Sequence, residues 1–173
     1  PLDSEHFSIY KLVQGYKNKH IEKIYITASG GPFLKLANKN FKYIKPIDAL
    51  KHPKWKMGKK ISVDSATLMN KVFELIEAQK IFDFDKNKYQ IVIHPQSLVH
   101  AIVKYKNGLT KFLYHEPNMV IPIANAIFES EFQINELVFP NKNKSNLNNL
   151  EFSSVDPKKF PVVKMIPKLN QYE

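Results

Sequence analysis

At 173 residues, with 43% hydrophobic and 12% aromatic content, the chain has the length and apolar share of one globular domain and lies outside the disordered range. It has no cysteine, which excludes a disulfide framework, a thiolate metal site and a cysteine nucleophile. The net charge of +10 comes from 26 basic residues that are all lysine, scattered among asparagines as in Asn141-Lys-Asn-Lys-Ser-Asn-Leu-Asn-Asn149; without the arginines that read bases or clasp phosphates bidentately, drift toward Lys and Asn explains the charge better than a nucleic-acid-binding face.

No apolar run is long enough to span a bilayer and no signal-peptide pattern is present, so a cytoplasmic protein without a membrane partner is expected. The chain begins at Pro1 with no lead-in, and an element upstream is expected. Asp3-Ser-Glu-His6 stands before an apolar helical pattern of Phe7, Tyr10, Leu12 and Val13. Asp3 or Ser4 fits a helix N-cap there, with acids in the first turn. Lys23 to Ala28 reads as a short strand running into Ser29-Gly-Gly-Pro-Phe33. Such a loop lets backbone N–H groups approach an anion, or is an ordinary Gly-Gly turn closed by Pro. After a lysine-rich connector, His52-Pro-Lys-Trp-Lys-Met-Gly58 carries large apolar side chains without periodicity. That suits a mobile lid closing over a ligand, or a loop pinned to the core by Trp55.

Lys60 to Ala78 is the stretch around which the rest is organised. It predicts a short β segment, a polar turn at Asp64-Ser65 and a helix to about Phe82. Leu68, Met69, Val72, Phe73, Leu75 and Ile76 fall on one side of that helix, and Thr67, Asn70, Lys71, Glu74 and Glu77 on the opposite arc. The arc reads as a solvated face with a Lys71–Glu74 pair. It also reads as a site: Asp64 and Ser65 at the cap positions with free first-turn N–H groups for an anion, Asn70 and Lys71 as further donors, and Glu74 facing a cation. Tyr89 to Ile93 is then a strand ending in His94-Pro-Gln-Ser97. Val99 to Tyr105 and Leu109 to Tyr114 form a hairpin about Lys106-Asn-Gly108. A short helix lies within Pro117 to Phe128, the Lys/Asn stretch from 141 to 149 is a linker or surface loop, and Val162 to Leu169 begins another helix. The order predicts an α+β (α/β-like) fold, an open mixed β-sheet packed by helices.

Five segments, in order, resemble one enzyme family: Asp3-Ser-Glu-His6, Ser29-Gly-Gly-Pro-Phe33, His52-Pro-Lys-Trp-Lys-Met-Gly58, Ile61-Ser-Val-Asp-Ser-Ala-Thr-Leu-Met-Asn-Lys71 with Glu74, and His94-Pro-Gln-Ser-Leu-Val-His100. The family is 1-deoxy-D-xylulose 5-phosphate reductoisomerase, of the methylerythritol phosphate route to isoprenoids. Phe160-Pro-Val-Val-Lys164 resembles the family's approach to its C-terminal helical region. The resemblance implies a catalytic metal- and substrate-binding domain over 1–150, with 151–173 a linker and the start of a helical domain. It further implies that the family's N-terminal nucleotide domain is absent, so this stretch alone is expected to be inactive.

The chemistry implied is rearrangement of 1-deoxy-D-xylulose 5-phosphate by retroaldol and aldol steps, then hydride transfer from NADPH to give 2-C-methyl-D-erythritol 4-phosphate. Mg²⁺ or Mn²⁺ would be held by Asp3, Glu5 and Glu74, oxygen ligands that suit either ion. Phosphate and substrate would be bound by Ser29, Ser65, Asn70 and Lys71, with His52, Trp55, Ser4 and Ser97 as further contacts and Met57 toward the nicotinamide. Glu5, Glu74, His52, His100 and Lys71 would carry catalysis; Glu77 is a further substrate or supporting group, and His6 has either a structural or a catalytic place. The family's enzymes are homodimers, and the His-Pro-Gln-Ser version of the strand end favours bacterial cytoplasm over a plastid. The rival readings are a metal- and phosphate-binding unit without catalysis, another metal-dependent sugar-phosphate isomerase or aldolase, and a lysine-rich nucleic-acid-binding module.

Overall fold

The computed structural model describes residues 1–52, 57–129, 131–133 and 150–171. Trp55, its neighbours from 53 to 56, and the Lys/Asn stretch from 141 to 149 lie outside these residues, so the lid reading of Trp55 is not addressed by it.

Five strands form one open mixed sheet: β1 (Ile21–Ala28), β2 (Tyr89–Ile93), β3 (Val99–Tyr105), β4 (Thr110–Tyr114) and β5 (Ser153–Ser154), in the order β4-β3-β1-β2-β5. β1 and β2 are parallel, with Ile26 opposite Ile91, while every other pairing is antiparallel. A parallel pair needs a long crossover. Here it is α2 (Pro46–Ala49), α3 (Lys59–Thr67) and α4 (Met69–Phe82). The β3–β4 hairpin turns at Lys106-Asn-Gly108, where Gly108 takes the positive φ of 87° that the turn demands. β5 was not foreseen: two serines carry no alternation, and their pairing with Val92 and Ile93 is set by the chain around them.

Alternation along β1 sends Ile24, Ile26 and Ala28 into a core shared with Ile9 and Leu12 of α1 (Ser4–Val13) and with Val72, Leu75 and Ala78 of α4. Phe160 is buried in the same core. α5 (Val120–Phe128) follows β4.

The central stretch departs from expectation. Residues 60 to 63 are helical, because α3 starts at Gly58 as N-cap and runs on through Asp64 and Ser65. Neither residue is a cap. Asp64 pairs instead with Lys60 one turn back at 2.6 Å. α3 stops where Leu68 adopts the left-handed conformation (φ 63°), and α4 starts at once from that residue. A leucine is placed at this uncommon φ because its side chain, 2% exposed, is locked in the core. In the helix that follows this bend, Phe73 is exposed while Glu74 is buried. Phe73 therefore leaves the core side to which the periodicity assigns it.

Candidate active site

Two loops leave the carboxyl ends of the parallel pair, where open sheets place their ligands. The first is Ser29-Gly-Gly, after β1. Gly30 and Gly31 both have positive φ, and a Cβ on Gly31 would lie 2.9 Å from the Ser65 carbonyl oxygen and 3.0 Å from Ala66 Cα. Only glycine lets the loop touch the α3 backbone this closely. Ser29 Oγ accepts from the Gly31 N–H at 3.1 Å and lies 2.9 Å from His52 Nε2. The second is His94-Pro-Gln-Ser97, after β2. His94 is fully buried and ties this loop together: Nδ1–H donates to the Glu151 carbonyl at 2.9 Å, and Nε2 accepts from the Leu98 N–H at 3.1 Å. Ser97 then takes φ 55°, and its buried Oγ has no hydrogen-bond partner among the described residues.

The N-terminal segment caps its helix and turns its acids toward α4. Asp3 is the N-cap of α1, Oδ1 accepting from the N–H groups of Glu5 and His6 at 3.0 and 3.1 Å. Glu5, in the first turn, is nearly enclosed; its carboxylate accepts from the Ser4 hydroxyl and from the Lys71 ammonium. Across from it on α4, Glu74 accepts from Lys71 at 2.5 Å and from the Asn70 amide. His6 fastens the two helices, its Nε2–H donating to the Glu74 carbonyl at 2.9 Å. Its Nδ1 lies 3.5 Å from Asp3 and 3.9 Å from Glu77.

One oxygen each from Asp3, Glu5 and Glu74 lies within 4.8 Å of the others. Burial and the neighbouring Glu5 carboxylate raise the pKa of Asp3, and the same two causes drive Glu74 well above its ordinary value. Burial also acts upward on Glu5, but Lys71 outweighs it and lowers the group to about 2. Lys71 itself is raised: its three acidic neighbours outweigh burial. Three carboxylates and one ammonium leave an excess of buried negative charge. A small divalent cation with oxygen preference fits this donor set, since it would meet three hard ligands and neutralise the excess.

These groups wall a cavity of about 290 Å³. It brings together Asp3, Ser4, Glu5, Ser29, His52, Met57, Ser65, Asn70, Lys71, Glu74, Ser97 and His100; of the other expected residues, His6 and Glu77 do not line it and Trp55 lies outside the described residues. Burial, with Lys71 adding to it, lowers the pKa of His52, so that ring is neutral beside the ammonium. Thr27, Ile61 and Met119 complete the wall and were not singled out beforehand. Ile61 lay within a recognised motif, whereas Met119 carries no local signal. Glu77 stands outside this cavity and lines an adjoining depression of about 770 Å³ with Met57, Lys60 and Phe73. The anion-site reading needs one correction: Ser65 contributes from the last turn of α3 and not from free N–H groups at a helix start, while Asn70 and Lys71 come from the first turn of α4.

The family model for the 1-deoxy-D-xylulose 5-phosphate reductoisomerase C-terminal domain matches residues 1–82. The reductoisomerase of Pelagibacter ubique is 52% identical over 170 residues, 98% of this chain and 43% of that protein. That of Persephonella marina is 45% identical over 163 residues, 94% of this chain and 43% of its own length. A crystal structure of the reductoisomerase with NADPH, fosmidomycin and magnesium superposes with a TM-score of 0.80 at 37% identity, over 99% of this chain and 44% of the other. The Zymomonas mobilis enzyme with NADPH gives 0.82 at 31% identity, over 100% and 44%. The chain thus spans less than half the length of the relatives it matches. With 52% and 45% identity to two such reductoisomerases over nearly its whole length and the same fold as their solved relatives, the chain belongs to the 1-deoxy-D-xylulose 5-phosphate reductoisomerase family.

Proposed function

We propose that this chain supplies the metal- and substrate-binding part of an enzyme that converts 1-deoxy-D-xylulose 5-phosphate to 2-C-methyl-D-erythritol 4-phosphate with NADPH. The observation that carries this reading is a single cavity with two chemically distinct ends. At one end Asp3, Glu5 and Glu74 converge. At the other stand Ser29, His52 and Ser65, and between the two lie Asn70 and Lys71, already bonded to the carboxylates; together these are donors suited to a phosphate. Mg²⁺ or Mn²⁺ held by the three carboxylates would polarise the substrate's oxygens.

The protein's own groups do the rest. The serine hydroxyls, the Asn70 amide and the Lys71 ammonium fix the phosphate, so the sugar's carbon chain lies toward the carboxylates. Ser97 Oγ, buried without a partner, is a donor waiting for a substrate oxygen. Glu5, held ionised by Lys71 and Ser4, accepts from substrate hydroxyls. Met57, Ile61 and Met119 exclude water from that end, with Met57 toward the nicotinamide. NADPH and the sugar phosphate are assigned by likeness to relatives that extend well beyond this chain, and the working enzyme is read as a homodimer in bacterial cytoplasm. No helix among the described residues is long and apolar enough to cross a membrane.

Calorimetric titration with fosmidomycin tests the reading. Binding should require Mg²⁺ or Mn²⁺, and Glu74→Gln should abolish that requirement together with most of the affinity. Ser29→Ala and Ser65→Ala should each cost about 1 kcal/mol, near fivefold, for a lost hydrogen bond. Affinity that is indifferent to the cation and to Glu74 would refute it, and would favour an anion-binding unit without catalysis.

A further inference from the structure

The β3–β4 ladder is uneven at one place. Val99 faces Tyr114 and Ala101 faces Leu113, so the register slips at His100. Such a bulge re-aims the side chain of the extra residue, and His100 lines the carboxylate cavity, 2% exposed. Directly after β4, His115 continues the ladder for one more bond, its N–H donating to the Leu98 carbonyl at 2.9 Å. Its ring lies flat on His100, with centroids 3.9 Å apart and planes 14° from parallel.

The partners determine where the ring protons are. His100 Nε2 is 3.4 Å from the His115 carbonyl, which can only accept, so the proton of a neutral His100 ring belongs on Nε2. His115 Nδ1 is 2.7 Å from the Glu116 carbonyl, which places its proton there and leaves a lone pair on Nε2. That nitrogen is buried without a hydrogen bond. Two neutral imidazoles can stack face to face; a charged one would be held against its neighbour's ring out of water. Burial lowers the pKa of both, that of His100 to about 4 although Glu5 acts upward.

We propose that His115 is a positioning residue for His100: its ring and backbone carbonyl hold the bulged His100 imidazole in one orientation and one tautomer at the wall of the carboxylate cavity. A flipped His100 ring would exchange Nδ1 and Nε2 at the wall of that cavity. This deepens the substrate-binding reading above and rests on it for its functional consequence. His115 follows a strand without any motif around it and meets the site only through the ring of His100.

Histidine-selective ¹⁵N labelling with two-bond ¹H–¹⁵N correlation reads which ring nitrogen of His100 carries the proton. His115→Phe keeps a flat ring, one somewhat larger than imidazole; His115→Leu keeps apolar bulk without the flat face, and both retain the backbone carbonyl. His100 should be a single Nε2–H tautomer in the parent and the Phe variant, and a mixture in the Leu variant. Fosmidomycin affinity with Mg²⁺ should fall roughly 3- to 10-fold for Leu, the worth of one aromatic stack, and stay within about twofold for Phe. An unchanged His100 tautomer in the Leu variant, or equal effects of Phe and Leu, overturns the proposal. A parent protein that binds neither Mg²⁺ nor fosmidomycin counts against the substrate-binding reading instead, and the tautomer comparison still decides the role of His115.

Discussion

Replacing Glu74 by Gln should stabilise the metal-free protein while removing its response to metal. Glu74 has two carboxylate neighbours with oxygens no more than 4.8 Å away, and Lys71 at 2.5 Å. At an effective dielectric constant near 20, each neighbour costs at least about 3.5 kcal/mol and Lys71 returns about 6.6 kcal/mol. The pair terms nearly cancel, and burial decides the sign, in line with a pKa well above the ordinary 4.5. A carboxyl raised in the fold binds protons more tightly there than in the unfolded chain. Stability therefore falls as pH rises, and the full benefit is present only at acid pH. At pH 7 the penalty is bounded by the distance of that pH from the ordinary 4.5, about 3 kcal/mol. Glutamine escapes it but turns one amide N–H toward a donor, losing about 1 kcal/mol. A net gain of about 1–2 kcal/mol remains, or roughly 3–6 °C in Tm for a chain of this size. Thermal unfolding at pH 7 with a chelator should show that gain, and the gap should close toward pH 4.5. Saturating Mn²⁺ should reverse the order, raising the parent by about 2.7 kcal/mol at a hundredfold excess over Kd and leaving the variant unmoved. A variant less stable at pH 7 in chelator, or a gap that widens on acidification, refutes the charge argument.

Lys71→Met removes the only ammonium bridging Glu5 and Glu74 among the described residues, and should cost about 3–5 kcal/mol in chelator, near 10 °C in Tm, with Mn²⁺ narrowing the difference; a loss that Mn²⁺ leaves untouched would mean that the cation does not substitute for the ammonium. Gly31→Ala puts a Cβ against the α3 backbone at a φ of 62° and should cost about 1–3 kcal/mol while weakening fosmidomycin severalfold, because Ser29 and Ser65 are pushed apart; calorimetry and thermal melts showing neither effect would place the loop away from the ligand.

What the sequence could show depended on how local the determinant was. The cap at Asp3, the Asn-Gly turn of the hairpin and the alternation of β1 are short-range, and each stands where its residues put it. The central helix pair was only partly legible. Ile61-Ser-Val63 is β-branched enough to read as strand, yet the Gly58 start, the Lys60–Asp64 pair and the Gly31 contact hold it in α3. Periodicity also cannot tell a solvated polar face from one that closes over a cavity. Lys71 and Glu74 lay on a polar arc, and only the packing of α1 against α4 buries them. The site residues came from motif order, because carboxylates 69 or more positions apart have no spacing rule. His115 and Met119 had no such aid.

Several of the places where local rules are broken share one address, while Asp83 and Glu129 take positive φ simply as the C-caps of α4 and α5. Leu68 and Ser97 hold positive φ without being glycine, Glu5 and Glu74 are buried beside one lysine with the partly exposed Asp3 at their edge, and a serine hydroxyl is buried without a partner among the described residues. Strain of this kind costs on the order of 1–3 kcal/mol at each residue and persists only where the surroundings enforce it. Scattered at random, such features would read as defects of packing. Here Leu68 directs the helix that carries Asn70, Lys71 and Glu74, Ser97 ends the loop fixed by His94, and the carboxylates face both. Each departure therefore positions a donor or acceptor toward the same volume. The rest of the chain supplies a conventional core that can carry the cost, as expected when consistency is given up only where ligands bind.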